Sequence, residues 1–154
     1  IGVIAETADN LHTQKRSKGY QRALFEDQIL YNPDWIRYGD WERPTGYQEA
    51  EKLVNEGVTA IFCMNDNMAA GLYDYLEEHD MKAGEDVSVV GYDNKEISEY
   101  LKPDLTTNGI PFVEIGRKSA EIMIETLTQD SENRNQKIIR MPCELIIRNS
   151  VKRI

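Results

Sequence analysis

Two rhythms of apolar residues run along this chain: short continuous runs, and longer stretches apolar at every third or fourth position. Ile1-Gly2-Val3-Ile4 opens as a buried strand. After a polar loop, residues 14–28 place Tyr20, Ala23 and Leu24 on one helical face. Residues 35–38 form a short strand candidate. In the next helix, Thr45-x-x-Gln48 has the form of a capping box, where each side chain satisfies an orphan backbone donor. Tyr47, Ala50, Leu53 and Val54 make its apolar stripe, and Gly57 its C-terminal cap. Residues 60–64 are continuously apolar, as expected of a strand covered on both faces. Asn65-Asp66 can cap the following helix, where Met68, Ala69, Leu72 and Leu76 recur at helical spacing. Residues 87–92 read as another buried strand.

Strand–helix alternation implies parallel strands joined by right-handed crossovers, hence an α/β fold with a doubly wound parallel sheet. The tail breaks the rhythm. Residues 105–107 form a short strand after Pro103. A helix over residues 112–128 carries the stripe Gly116, Ala120, Met123 and Leu127, with Ile115 and Ile122 on a second flank. A helix apolar on two flanks is expected to touch two partners. Residues 130–136 are a polar loop, and 137–140 and 144–147 are two final strand candidates flanking Pro142.

Length and charge narrow the function. The 154 residues fit one domain, or one domain with an appendage. Apolar residues at 40 % and charged residues at 29 % are globular values. A net charge of −9 argues against this segment gripping a phosphate backbone. No apolar run reaches the ~20 residues of a membrane span. Two cysteines, Cys63 and Cys143, make neither a metal cluster nor a disulfide framework, so a reducing cytoplasm is expected. The chain opens inside a strand without an initiator Met. It is therefore expected to be a piece of a longer protein, whose targeting it does not reveal.

Ligands of open α/β sheets bind beyond the carboxyl ends of the strands. Arg16, Trp41, Asn65-Asp66 and Asp93 each follow a predicted strand. Arg, Asn and Asp offer paired donors and acceptors for neighbouring hydroxyls, and an indole suits the C–H face of a sugar ring. The set resembles a polyol site more than an anion site. Each residue also has a plainer reading. Asn65 or Asp66 is a helix cap, Trp41 a half-buried aromatic, Arg16 a solvated helix residue, and Asp93 a turn former after Gly91. Catalysis finds less support. His12 and His79 read as surface residues, Cys63 as an inert core thiol, and no nucleophile elbow or phosphate loop is present. Asp66 and Asp93 remain a possible carboxylate pair for hydrolysis.

Several segments together resemble the lactose-repressor (LacI/GalR) family of transcription regulators. They are Arg16-Ser-Lys-Gly19-Tyr20, Gly39-Asp-Trp41 through Gly46-Tyr47, and Ala60 through Asn65-Asp-Asn-Met68-Ala69-Ala70-Gly71. Asp86-Val-Ser-Val-Val-Gly-Tyr-Asp93-Asn94, Pro103-Asp-Leu105-Thr106-Thr107 and Leu145-Ile-Ile-Arg148-Asn-Ser150 complete the set. The resemblance implies a periplasmic-binding-protein-like fold of two subdomains around an effector cleft. Residues 1–108 would then be C-terminal subdomain. Residues 109–131 would be a crossover and helix belonging to the N-terminal subdomain, and 132–154 the return. It also implies that Arg16, Asn65 and Asp93 contact the effector, and that Trp41 packs against it.

On that resemblance the expected function is effector sensing, most simply of a sugar, in a cytoplasmic repressor. No catalytic residue, metal or cofactor is expected, and no membrane. Operator DNA would be contacted only through a helix-turn-helix preceding this region. The unpartnered stripe of helix 112–128 leads us to expect a homodimer. Two alternatives stand beside this reading: an extracytoplasmic sugar-binding protein of a transport system, and a hydrolase using Asp66 and Asp93.

Overall fold

The computed structural model describes residues 1–128 and 138–152. Twelve stretches form in chain order. They are β1 (Gly2–Glu6), α1 (Leu11–Glu26), a 3-10 turn (Pro33–Trp35), β2 (Ile36–Gly39), α2 (Arg43–Asn55) and β3 (Ala60–Cys63). Then come α3 (Asp66–Glu78), β4 (Ser88–Asp93), α4 (Ile97–Tyr100), β5 (Thr106–Gly109), α5 (Phe112–Thr128) and β6 (Glu144–Ile146). The strands make one sheet in the order β2-β1-β3-β4-β5-β6. β1 to β5 pair in parallel, and β6 joins the edge antiparallel. The expected doubly wound parallel sheet is therefore present, with one antiparallel edge strand. Right-handed crossovers place α1 on one face and α2 with α3 on the other.

The core lies under α2 and α3, where Val3, Ile61, Leu53, Leu72 and Val89 are all buried. Two glycines set the distance between these helices. A Cβ on Gly46 would lie 2.1 Å from the Met68 carbonyl oxygen, and one on Gly71 would lie 1.9 Å from that of Arg43. Only residues without a side chain allow backbones so close.

Several expectations are corrected. α1 begins three residues early because Asn10 caps it, its Oδ1 accepting from His12 N–H at 2.7 Å and Thr13 N–H at 3.3 Å. Ala23 is exposed, and Leu24 carries the burial. α2 likewise starts before Thr45, with Pro44 in its first turn. Thr45 donates to Asp40 at 2.6 Å instead of forming a capping box. In β3, Ile61 and Cys63 are buried while Ala60 and Phe62 are half-buried, so the strand is fully covered on one face only. Gly57, at φ +78°, ends α2 as expected. Residues 138–140 form no strand, and residues 130–137 lie outside the described residues.

α5 occupies the expected span, yet none of its residues is buried. Ile115 and Ile122 share a hollow with Ile139, Met141 and Cys143 of the returning segment. The opposite flank is open, with Met123 65 % and Leu127 69 % exposed.

Candidate functional site

The order β2-β1-β3-β4-β5 reverses direction at β1, so loops after β1 and β3 part and leave a crevice between them. Arg16, Trp41, Asn65 and Asp93 all line one cavity of about 420 Å³ there. The size suits a small molecule.

Arg16 projects from α1 and is largely buried. Its Nη1 donates to the Met64 carbonyl. Its guanidinium lies 3.7 Å from the Tyr92 ring centroid and 5.6 Å from that of Trp41. Such stacking holds a charged plane without using all its donors. Nη2 reaches toward Asp93 Oδ1 at 4.0 Å, and Lys95 Nζ toward Oδ2 at 3.9 Å. Both separations exceed a hydrogen bond. Among the described residues no donor closes on the Asp93 carboxylate, so both oxygens stay available to a ligand. Burial raises the pKa of this carboxyl, opposed by Arg16, then Lys95 and His12.

Asn65 caps α3, its Oδ1 accepting from Met68 N–H at 2.8 Å. Its Nδ2 donates to the Trp41 carbonyl at 2.9 Å. That bond holds Trp41 at φ +71°, a conformation that is uncommon for a bulky residue. The indole is thereby carried to the rim of the cavity. The plain reading of Asn65 as a cap is correct, and so is its placement in the crevice.

Asp66 is fully buried and is not a cap. Its Oδ1 accepts from the Thr107 hydroxyl at 2.6 Å and its Oδ2 from Lys95 N–H at 2.7 Å. Burial raises its pKa, partly offset by the Thr107 and Lys95 bonds. With both oxygens committed to structure, Asp66 offers Asp93 no partner for hydrolysis.

Sequence reasoning missed Asn67, Lys95, Asn10, Ile110 and Phe112, which also line the cavity, and assigned His12 to open surface. Asn67 and Lys95 stand two residues beyond Asn65 and Asp93, a spacing that could have suggested them. Ile110 and Phe112 follow β5 and, being apolar, give no polar signal of their own. His79 does lie outside the cavity, stacked on Tyr75 at 4.1 Å. Cys63 is buried, and burial raises its thiol pKa well above the ordinary value. Among the described residues no group of three or more His, Cys, Asp or Glu could hold a metal, and no helix is long and apolar enough to cross a membrane.

The periplasmic binding protein-like domain family matches residues 1–151. The HTH-type transcriptional repressor PurR of Vibrio parahaemolyticus is 38 % identical over 156 residues, covering 100 % of this chain and 46 % of the relative. The chain thus spans just under half the length of that relative. A LacI family transcriptional regulator from Enterococcus faecium with bound ribose superposes with a TM-score of 0.87 at 29 % identity, over 98 % of this chain and 56 % of the other. The lac repressor dimer bound to operator and the anti-inducer ONPF gives 0.83 at 30 %, over 99 % and 52 %.

Proposed function

The chain belongs to the periplasmic-binding-protein-like domain family, on its branch of LacI-type transcription regulators, and from that membership we propose that it senses a small effector for a repressor. Arg16, Trp41, Asn65 and Asp93 form one wall of the effector cleft in this reading. The carrying observation is the Asp93 carboxylate, sheltered between two cations with both oxygens unbonded, beside an indole face. A vicinal hydroxyl pair donates to such a carboxylate, and the C–H face of its ring packs on Trp41. A pyranose or furanose fits this chemistry, and the bound ribose of the Enterococcus regulator agrees with it.

Residues 1–108 and 132–154 then make one subdomain, and 109–131 cross to a second that supplies the opposite wall. The open flank of α5, where Met123 and Leu127 stand exposed, suits docking onto that partner. Effector bridging both walls favours the closed arrangement over the open one. Its differential affinity for the two states sets how far the operator-binding equilibrium moves. The regulator works in the cytoplasm as a homodimer and contacts operator through a helix-turn-helix. The acidic surface of this segment, net −9, takes no part in that contact. Delivery of sugar to a transporter is the weaker reading, because the relatives named above are transcription regulators.

Titration calorimetry of the full-length regulator, which carries both walls of the cleft, with D-ribose and a panel of common monosaccharides tests the proposal; this segment alone should bind weakly or not at all. We expect at least one to bind, and Asp93→Ala to weaken it by roughly 1–3 kcal/mol, about tenfold or more. Equal affinity in the variant, or binding by no member of the panel, would overturn the sugar assignment.

A further inference from the structure

Asp93 and Asn94 are consecutive residues at φ +110° and +55°. Neither is glycine, so the surrounding structure must hold this turn. Lys95 N–H donates to Asp66 Oδ2 at 2.7 Å, and Asn94 N–H to Thr107 Oγ1 at 3.4 Å. The third restraint comes from far along the chain. Arg148, just after β6, donates from Nη2 to Asn94 Oδ1 at 2.9 Å, across 54 positions of sequence. Its Nη1 donates to the Leu105 carbonyl at 2.7 Å and the Ser98 hydroxyl at 3.1 Å. Its backbone N–H donates to Thr106 Oγ1 at 2.9 Å. A planar guanidinium can satisfy these diverging acceptors together, whereas a lysine ammonium on its flexible stem could not.

The strand leaving for α5 touches the same turn. Gly109 pairs with Asp93, and Ile110 N–H approaches the Asp93 carbonyl at 3.5 Å. A Cβ on Gly109 would lie 3.0 Å from Ile146 Cδ1 and 3.7 Å from Asn94 Cβ. The Asp93 turn therefore sits between the outgoing chain and the returning one.

We propose that Arg148 is a positioning residue for the cleft. Through Asn94 it ties the returning strand to the turn that aims Asp93, so a shift of that strand re-aims the carboxylate. The reverse coupling follows from reciprocity: ligand held by Asp93 favours one placement of the strand. The proposal rests on the reading of the cleft as an effector site, but its test needs no effector.

Amide hydrogen exchange and an NMR titration of the Asp93 carboxyl on the unliganded chain decide it. Arg148→Met removes the fork. Asn94→Gly removes the acceptor while keeping a residue that tolerates positive φ. Asn94→Asp retains an acceptor oxygen and should keep amide exchange as slow as in the parent, while its added carboxylate raises the Asp93 midpoint rather than lowering it. We expect exchange at Asn94 and Lys95 to quicken about tenfold or more in the first two variants, as the loss of one charge-assisted bond implies. The Asp93 midpoint should fall toward ordinary carboxylate values as the turn loosens and hydrates. Exchange at the Met68 amide, capped by Asn65, should stay unchanged. Unaltered exchange in both variants overturns the proposal. So does uniform acceleration that includes Met68, because Arg148 would then act only through global stability. If no sugar binds while the turn still loosens selectively, the effector assignment fails and the positioning role stands.

Discussion

Gly71→Ala sets two physical effects against each other with a clear winner. Helix propensity alone favours alanine by ~1 kcal/mol inside a helix. The structure opposes it. The new Cβ would lie 1.9 Å from the Arg43 carbonyl oxygen and 2.6 Å from Tyr47 N, both backbone atoms of α2. Neither can rotate away, so the helices must part by about 1.5 Å before the contact reaches an ordinary 3.4 Å. Parting them loosens Ala50, Leu53 and Leu72, all fully buried along this seam. Overpacking of this kind costs ~1–3 kcal/mol, and the backbone clash places this site at the upper end. We expect a net loss of about 2 kcal/mol, or a fall in Tm of roughly 4–8 °C. Gly19→Ala is the control: nothing lies within 4 Å of its Cβ, so it should stabilise by up to ~1 kcal/mol. Urea denaturation followed by circular dichroism measures both. A Gly71→Ala chain as stable as the parent would refute the argument from close helix approach. Because Asn65 caps α3 and holds Trp41, indole emission should also change in Gly71→Ala and not in Gly19→Ala.

Three further outcomes follow from the same structure. The buried Asp66 carboxyl binds its proton more firmly when folded, so its contribution favours the folded state at acid pH and is lost as pH rises through its raised value. Asp66→Asn lacks that loss, and urea midpoints between about pH 4 and pH 7 should move in the variant's favour as pH rises; parallel curves would sink the assignment. A thiol reagent should modify exposed Cys143 in the native chain and reach buried Cys63 only after denaturation, and rapid labelling of both would show the core to be open. Replacing Met123 and Leu127 with Glu should leave the unfolding free energy of this chain, measured by urea denaturation, within about 0.5 kcal/mol and abolish any self-association seen by sedimentation, because both side chains face solvent; a large drop in stability would mean α5 packs against its own sheet.

Strand–helix order, the span of α5 and four cleft residues were legible because each rests on a local signal. A β-rich apolar run, a helical stripe and a polar residue after a strand are all written in short windows. What failed needed distant partners. Thr45 looked like a cap until Asp40 drew its hydroxyl away, and the cap belonged to no side chain at all. Asp66 looked like a cap or a catalyst until Thr107 and the Lys95 amide were brought to it by β5 and the β4 loop. β6 turned antiparallel because the chain returns from α5 rather than through another crossover. His12 carried no mark to distinguish the cavity from open surface.

The double engagement of Asn65 bears on how this cleft can change over evolutionary time. Its Oδ1 starts α3 and its Nδ2 secures Trp41, so a substitution there damages folding before it can alter ligand choice. Among the described residues the Lys95 side chain reaches toward Asp93 alone, and Asn67 and His12 line the cavity without such duties. Drift in effector preference should therefore pass through Lys95, Asn67 and His12, while Asn65 stays silent. A mutational library judged on ligand range would explore new chemistry at those three positions and return mostly destabilised chains at Asn65.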